Sequence, residues 1–539
     1  MTDRPVLPVP DADRRLRRRH PESIRSQHRS AVEEAAEPDA SGHGEVHEYR
    51  IDLERLRFSP YFGRLSAVTQ VVPQSGVGPV MHNRLTHSLK VSAVARVIAA
   101  NLAARLSLHR EHAADRATAD DDGGRTLEHL GGCDTIVAQA AAHAHDLGHP
   151  PFGHLGERVL DRLATTELGL DEGFEGNAQT FRILTTLDTL GLDFPGVNLT
   201  ASVRASVLKY PWTRGMWAGI DAERMPAEER PRGVGLDPVR GAVKFSAYAL
   251  EAEEMDEVRT AFPHLEPGAQ TVDCAIMDLA DDIAYAVHDL DDFVRAGVLQ
   301  HAPVAGEFHA WLRDSGGFRD GRTEDLDRQW RVPGVSLELL WRRTKTKDPW
   351  IADREFFADA VKRISSELGD DLLTRPYDGG VEAERAVSSF TRRWIERLRS
   401  AVVVEAHPHV RGGHVHLEQR AWHEVLVLKF VHARFVLDLP DIAQAQRGQA
   451  RVLEDLVRGF DAWLDDPHDH GRAPRRLLEW IDGTTQAVFD LHGRRPDLLT
   501  GDGGEAALRR QGRSRAILDY VASMTDQQAL ATHASMTRG

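Results

Sequence analysis

The chain has 539 residues and a mass of 59.9 kDa, enough to bury a large core in one big domain or several. Apolar residues make up 41%, no uninterrupted apolar run is long enough for a bilayer, and the first twenty residues lack the apolar stretch of a signal peptide. A count of 67 basic against 83 acidic side chains, net −16, argues against a surface that coats nucleic acid. The two cysteines, Cys133 and Cys274, argue against a disulfide framework and suit a reducing cytoplasm. An anionic substrate would need a local basic channel plus a metal to overcome the overall field.

Residues 1–45 are rich in Arg, Glu, Ala, Ser and Pro, and are expected to form a disordered arm in which the run Arg14–Arg19 is solvated. From Tyr49 onward helical spacing dominates. Residues 84–106, 134–148, 272–298, 388–404 and 449–464 each repeat apolar positions at three and four and are expected as helices. Residues 407–418, "HPHVRGGHVHLE", are the best strand candidate. Acidic and Gly-rich stretches near 114–133, 218–240 and 312–328 are expected as surface loops or insertions. No internal repeat is visible. The expected fold class is mainly α, one large domain with a few short strands behind a loose arm.

The stretch "HAHDLGHPPFGHLGE", His143 to Glu157, gathers four histidines and two acids around two prolines. A packed core does not ask for this, whereas divalent metals want neutral imidazoles and ionised carboxylates. The string is not the HExxH of zinc proteases. A His-Asp dipeptide alone is a weak signal, and His288–Asp289 is a second instance. Two other segments add weight. "MHNRLTHSLKV" puts Arg84 and His87 on one face at the start of a helix. "MDLADDIAYAVHDLDD" puts Asp281, Tyr285 and Asp289 on one face of a helix too apolar, through Ile276, Leu279, Ile283, Ala284 and Val287, to lie freely in water.

A His, a distant His-Asp pair and a distant Asp resemble the pattern of the HD phosphohydrolase superfamily. "RLTHSL", "AHDLGHPPFGHLGE", "FEGNAQTFRIL", "LKYPW", "DDIAYAVHDLDD", the segment Tyr49–Val71 and "DYVASMTD" are more closely similar, in order over roughly residues 48–530, to the deoxyguanosinetriphosphate triphosphohydrolase family. The resemblance implies an HD-domain helical core over residues 46–300, with residues 301–539 the helical C-terminal part of the same unit. It implies metal ligands His87, His145, Asp146 and Asp281, the last preferred over Asp282 because it shares a face with Tyr285 and Asp289. The ion would be divalent, Mg²⁺ or Mn²⁺. His154 and Glu157, three apart, would be the catalytic pair, the carboxylate orienting the imidazole. Arg84, Lys209 and His149 would meet phosphate, with Lys244 a weaker candidate and a plain surface lysine the alternative for Lys209. Tyr285 and Asp289 would sit at the sugar, the ring excluding a 2′-hydroxyl and the carboxylate accepting from the 3′-hydroxyl. Gln70 could read a base edge or be a structural amide. Asn177 is expected near the active site.

The implied reaction is metal-dependent hydrolysis of a deoxynucleoside triphosphate to deoxynucleoside and inorganic triphosphate, by a cytoplasmic homo-oligomer with no membrane partner. An activating nucleotide and nucleic acid both stay open as further partners. "MTDQQAL" departs from the family in carrying Gln527 and Gln528 where basic and aromatic residues are more usual. The alternatives are an HD phosphohydrolase acting on a monophosphate or cyclic nucleotide, and a regulatory nucleotide- or nucleic-acid-binding protein on the same scaffold.

Overall fold

Helices with buried apolar faces assemble into two adjoining cores, and the polar stretch around His145 lies along the seam between them. The computed structural model describes residues 14–20, 44–70, 82–112, 122–191, 194–220, 225–226, 229–235, 241–499 and 503–537. The principal helices are α1 (Gly44–Phe58), α2 (Arg84–His112), α3 (Thr135–Ala144), α4 (His154–Thr166), α5 (Gly176–Arg182), α6 (Val272–Arg295), α7 (Val381–Ser400), α8 (Gln419–His432), α9 (Pro440–Asp465), α10 (Arg475–Arg494), α11 (Glu505–Ala522) and α12 (Asp526–Thr537). Strands β1 (Val402–Val404) and β2 (Val415–Leu417) pair antiparallel, with Val403 opposite His416. The fold is therefore mainly α.

The larger core packs α1, α2, α3, α6, α7 and α8. Helix α3 is its axis. Its alanines at 138, 140, 141, 142 and 144 are fully buried, and side chains that small let α2 and α6 approach closely on either side. Asp134 starts this helix by accepting from the amides of Ile136 at 2.6 Å and Val137 at 3.2 Å. Thr271 caps α6 in the same way, accepting from the Cys274 amide at 3.1 Å. The smaller core joins α4 to α9, α10 and α11 through residues such as Leu160, Leu453, Phe460 and Ile517.

Several expectations are corrected. Val402–Val404, read as the end of a helix, is strand β1, because its partner β2 supplies backbone hydrogen bonds that a three-valine run takes readily. Residues 407–414 of the strand candidate form the turn leading into β2. Residues 122–129 and most of 312–328, read as loops, are helical, the latter within His301–Asp320 and Thr323–Arg328. Most of the 218–240 stretch, like residues 113–121, lies outside the described residues or is irregular. The arm is not wholly loose either. Arg18 donates to Asp52 at 2.6 Å, Glu48 at 2.7 Å and the Asn198 carbonyl at 2.6 Å, and Arg15 reaches the Gly131 carbonyl at 2.7 Å. Carboxylates waiting on α1 thus dock part of a run that composition alone assigns to solvent. The rest of residues 1–45 that precedes α1 lies outside the described residues.

Helix α2 is long and apolar enough to cross a membrane by length and composition. In the fold it is a core helix, packed on α3 and α6 and carrying Arg84 and His87 at its first turn.

One buried network ties the two cores together. Arg182 donates to Asp519 at 2.8 Å, Glu251 at 2.6 Å and the Thr484 hydroxyl at 3.1 Å, while Gln179 donates to Asp519 at 3.0 Å. Removing the guanidinium strands two buried carboxylates. Arg182→Met is expected to lower unfolding free energy by ~3–5 kcal/mol, measured by urea denaturation.

Candidate active site

Helix α3 ends at Ala144, and His145 occupies its C-terminal cap. The chain turns through Pro150, Pro151, Phe152 and Gly153 before restarting as α4 at His154. Phe152, at φ +63°, is held in that conformation by its side chain in the smaller core and by its amide donating to Asp526 at 2.8 Å. Gly153 follows at φ +58°, where an added Cβ would lie 2.4 Å from Arg84 Nη2. Only glycine lets this turn press against that guanidinium.

The turn sorts the polar residues into two adjoining clusters. In the first, His87 Nε2 is 3.0 Å from Asp281 Oδ1, and His145 Nε2 is 3.6 Å from the same oxygen and 3.7 Å from Asp146 Oδ1. His87, His145 and Asp146 present ligand atoms all within 4.8 Å of one another. His145 Nδ1 donates to the Ala142 carbonyl at 2.7 Å, so Nε2 faces the carboxylates, and it is buried without a hydrogen-bond partner among the described residues. An orphaned imidazole nitrogen beside two carboxylates is a donor set that fits a divalent cation. Burial works against charge on His145, yet Asp146 and Asp281 raise it to about 9. Burial likewise opposes ionisation of Asp146, but Arg84, His149 and His145 hold it well below the usual carboxylate range. Arg84 does so from 3.1 Å to both oxygens.

The second cluster is His149, His154 and Glu157, again within 4.8 Å. His154 Nδ1 donates to Glu157 Oε2 at 2.8 Å, and Glu157 Oε1 accepts from the Gly176 amide at 3.1 Å. Glu157 is buried while the His154 ring is 57% exposed, so a fixed carboxylate aims a solvent-facing imidazole. Burial would push Glu157 up, but Lys244, His149 and His154 hold it well below its ordinary value. His149 bridges the clusters, 2.9 Å from Asp146 and 3.7 Å from Glu157. Burial and the charge of Arg84 lower it to about 4, against the pull of Asp146 and Glu157.

The remaining residues singled out in the sequence fall around these clusters. Lys209 is buried, 2.5 Å from Asp278 and 3.7 Å from Asp281, which removes the surface-lysine reading. Lys244 pairs with Glu175 at 2.7 Å and lies 3.8 Å from Glu157. Glu175 caps α5, accepting from the Asn177 amide at 2.6 Å, and the Asn177 side chain donates back to it at 2.9 Å. Asn177 is thus one residue from the Gly176 amide that holds Glu157. Gln70 follows Thr69, which donates to Asp526 through its amide at 3.0 Å, and its buried Oε1 has no partner among the described residues. Gln528, one of the departures in "MTDQQAL", accepts from the Thr525 amide at 2.9 Å while its own amide donates to Thr525 Oγ1 at 3.1 Å, a reciprocal cap for α12.

Sequence reasoning missed His432. Its ring lies 4.9 Å from Tyr285 and 4.9 Å from Phe293, with Nδ1 4.0 Å from Asp289 Oδ2. Both ring nitrogens and that Asp289 oxygen are buried without hydrogen-bond partners among the described residues. Burial, with Asp292 and Asp281 nearby, pushes the Asp289 carboxyl well above its usual range. A lone imidazole in the apolar run "VLKFVHARF" has no spacing signature. Only the fold shows it facing Tyr285 and Asp289.

The helical fold carries a His/Asp cluster and an adjoining His/Glu cluster that could hold a metal ion, and the similarities that follow support a phosphohydrolase. Residues 483–535, spanning most of α10 through α12, match the family described as a phosphohydrolase-associated domain. The chain is 27% identical over 509 residues to the deoxyguanosinetriphosphate triphosphohydrolase-like protein of Streptomyces coelicolor, covering 91% of this chain and 92% of that one. It is 27% identical to the protein of the same name from Bifidobacterium longum, covering 89% and 81%. A third, from Shewanella oneidensis, is 35% identical over 266 residues, 47% of this chain and 55% of its own. The chain is a relative of the deoxyguanosinetriphosphate triphosphohydrolase-like proteins along nine-tenths of its length.

Burial, with a smaller push from His154, lowers His432 from 6.5 to about 4. Below pH 6.5 the unfolded chain therefore takes up a proton that the folded chain refuses, and stability falls as pH drops toward 4. The slope from this group is up to ~1.4 kcal/mol per pH unit. His432→Leu is expected to flatten the pH dependence of unfolding between about pH 4.5 and 6.5, measured by urea denaturation across that range.

Proposed function

We propose that the protein hydrolyses deoxynucleoside triphosphates to deoxynucleoside and inorganic triphosphate. The observation that carries this reading is the junction of two sites through His149: a donor set of His87, His145, Asp146 and Asp281 beside an exposed imidazole, His154, aimed by buried Glu157. The names of the relatives support the substrate class.

His87, His145, Asp146 and Asp281 would hold a divalent cation, Mg²⁺ or Mn²⁺. Bound there, the ion would supply positive charge and Lewis acidity to the phosphate oxygens. The protein's own residues do the rest. His154 Nδ1 is occupied by Glu157, so Nε2 faces the open side. It is placed to handle the proton when water adds to the α-phosphorus and the P–O5′ bond breaks. Arg84 has Nε and Nη2 unpartnered among the described residues and presents them beside the Gly153 turn. Lys209 adds charge next to Asp281. The Tyr285 ring against His432 forms a wall at the sugar, and the unpartnered Asp289 oxygen accepts the 3′-hydroxyl. A 2′-hydroxyl would meet that wall. Assembly as a homo-oligomer belongs to the same reading and rests on the resemblance alone.

Product analysis tests it, with each of the four deoxynucleoside triphosphates and GTP as a ribose control, in Mg²⁺ or Mn²⁺. The expected products are deoxynucleoside and intact triphosphate, with EDTA or His145→Ala abolishing turnover and GTP inert. His154→Ala is expected to lower kcat by about 10²–10⁴-fold, with Glu157→Gln in the same direction. Release of pyrophosphate or orthophosphate would refute the proposed bond cleavage.

A further inference from the structure

Glu157 aims His154, and the peptide group that holds Glu157 is itself held from outside the site. The Gly176 amide that donates to Glu157 Oε1 at 3.1 Å shares one planar peptide with the Glu175 carbonyl, so the two cannot turn independently. The contact is tight, since a Cβ added at Gly176 would lie 2.1 Å from that oxygen. The Glu175 carbonyl accepts from the Gln179 amide at 2.9 Å, in the first turn of α5, and has the Tyr248 hydroxyl at 3.3 Å as a second donor. The same hydroxyl accepts from the Glu175 amide at 3.3 Å and lies 3.2 Å from Gln179 Oε1. One phenol oxygen thus touches both backbone groups of Glu175 and the helix that follows.

Tyr248 is held in turn by the C-terminal helices. It is fully buried, and burial pushes its phenol above the ordinary value, so the hydroxyl keeps the proton it donates. Arg515 of α11 lays its guanidinium over the ring, 3.7 Å from the centroid. Arg515 also donates to Glu172 at 2.7 Å and to the Gly173 carbonyl at 2.8 Å, and the other Glu172 oxygen accepts from the Ala249 amide at 2.8 Å. The ring is therefore fixed on its face by a buried cation and along the chain by a carboxylate bonded to the next residue's amide. Arg515 falls within residues 483–535, the match to the phosphohydrolase-associated domain, which holds none of the metal-ligand candidates and neither member of the His154–Glu157 pair.

We propose that Tyr248 is a positioning residue for the His154–Glu157 pair, and that Arg515, by holding Tyr248 in place, gives the phosphohydrolase-associated region its part in the chemistry. The inference rests on the proposed roles of His154 and Glu157. Tyr248 and Arg515 are buried behind Glu175 and act through it. Without the hydroxyl, the Glu175–Gly176 peptide keeps only its helix bond, the Gly176 amide shifts against Glu157, and His154 Nδ1 loses a fixed acceptor. An imidazole that is poorly aimed costs turnover rather than substrate binding.

The test uses Tyr248→Phe, which keeps the ring under Arg515 and removes only the hydroxyl. It is expected to lower kcat by about tenfold to a hundredfold with little change in KM. Added to Glu157→Gln, it is expected to cost less than about twofold more, because both changes break the same link. Ile517→Val, a core change on α11, is expected to lower the urea midpoint and leave kcat as it was. A second readout needs no nucleotide: the acylation rate of His154 by diethyl pyrocarbonate at pH 8, located by fragment mass spectrometry. A carboxylate on Nδ1–H makes the other ring nitrogen more basic, so Glu157→Gln and Tyr248→Phe are each expected to slow acylation by about twofold or more. Arg515→Lys, which keeps the charge and loses the stacked fork, is expected to move both readouts the same way. The proposal is overturned if Tyr248→Phe raises KM with kcat intact, if its loss multiplies fully with that of Glu157→Gln, or if His154 is acylated at the wild-type rate. An Arg515→Lys protein that behaves as wild type would overturn the part assigned to the C-terminal region. A chain that fails to cleave deoxynucleoside triphosphates would refute the proposed function, and the acylation rates would still decide the positioning.

Discussion

A buried carboxylate is tolerable only when positive charge or hydrogen-bond donors stand against it, and that constraint organises this molecule. Asp519 is met by Arg182, Asp278 by Lys209 and Asp146 by Arg84. Asp281 is different. Its nearest partners are the imidazoles of His87 and His145, with Lys209 only at 3.7 Å. Imidazoles can balance it by keeping protons, and, against the cost of its burial, Asp146 and Asp281 raise His145 to about 9. They can equally give up those protons to an arriving cation and stay as neutral ligands. A metal ion held by these residues would relieve the pocket.

The same bookkeeping fixes the seam between the cores. Arg64 donates to the carbonyls of Leu147 and His149 at 2.8 and 2.7 Å and to those of Ala522 and Met524 at 3.0 and 2.9 Å. Asp526 holds Thr69 and Phe152. The C-terminal helices are thus fastened to the turn that separates His145 from His154. The distance between the two clusters depends on residues nearly four hundred positions away in sequence.

Much of this was legible before the fold was known. Helical periodicity located α2, α3, α6 and α9, because each buries a continuous stripe and the sequence must repeat with it. His87, His145, Asp146 and Asp281 came from the family resemblance rather than from spacing alone, and the fold brings them together beside the His154–Glu157 pair. What was not legible depends on partners distant in sequence. Val402–Val404 becomes a strand only because β2 lies beside it. Arg18 docks only because Asp52 and Glu48 face it. His432 gains meaning only when α8 brings it against Tyr285 on α6. The roles of Gln70 and Asn177 stay undivided by sequence for the same reason, since an amide's purpose is set by what it faces.

The pairing of the cations has a consequence for selectivity. Arg84 and Lys209 are each committed to a protein carboxylate, so neither meets a substrate as a free charge. On the proposed reading, a triphosphate gains little from them by attraction alone and must instead fit the donors they leave unpartnered, such as the buried Arg84 Nε and Nη2. Groups already neutralised favour a ligand through geometry, since displacing the internal partner costs as much as the new contact returns. Charge by itself would admit any polyphosphate. On the proposed reading, a site whose arginine and lysine are pinned by Asp146 and Asp278 would admit one whose phosphates, sugar and leaving oxygen fall where the unpartnered nitrogens, the Tyr285 wall and His154 already stand.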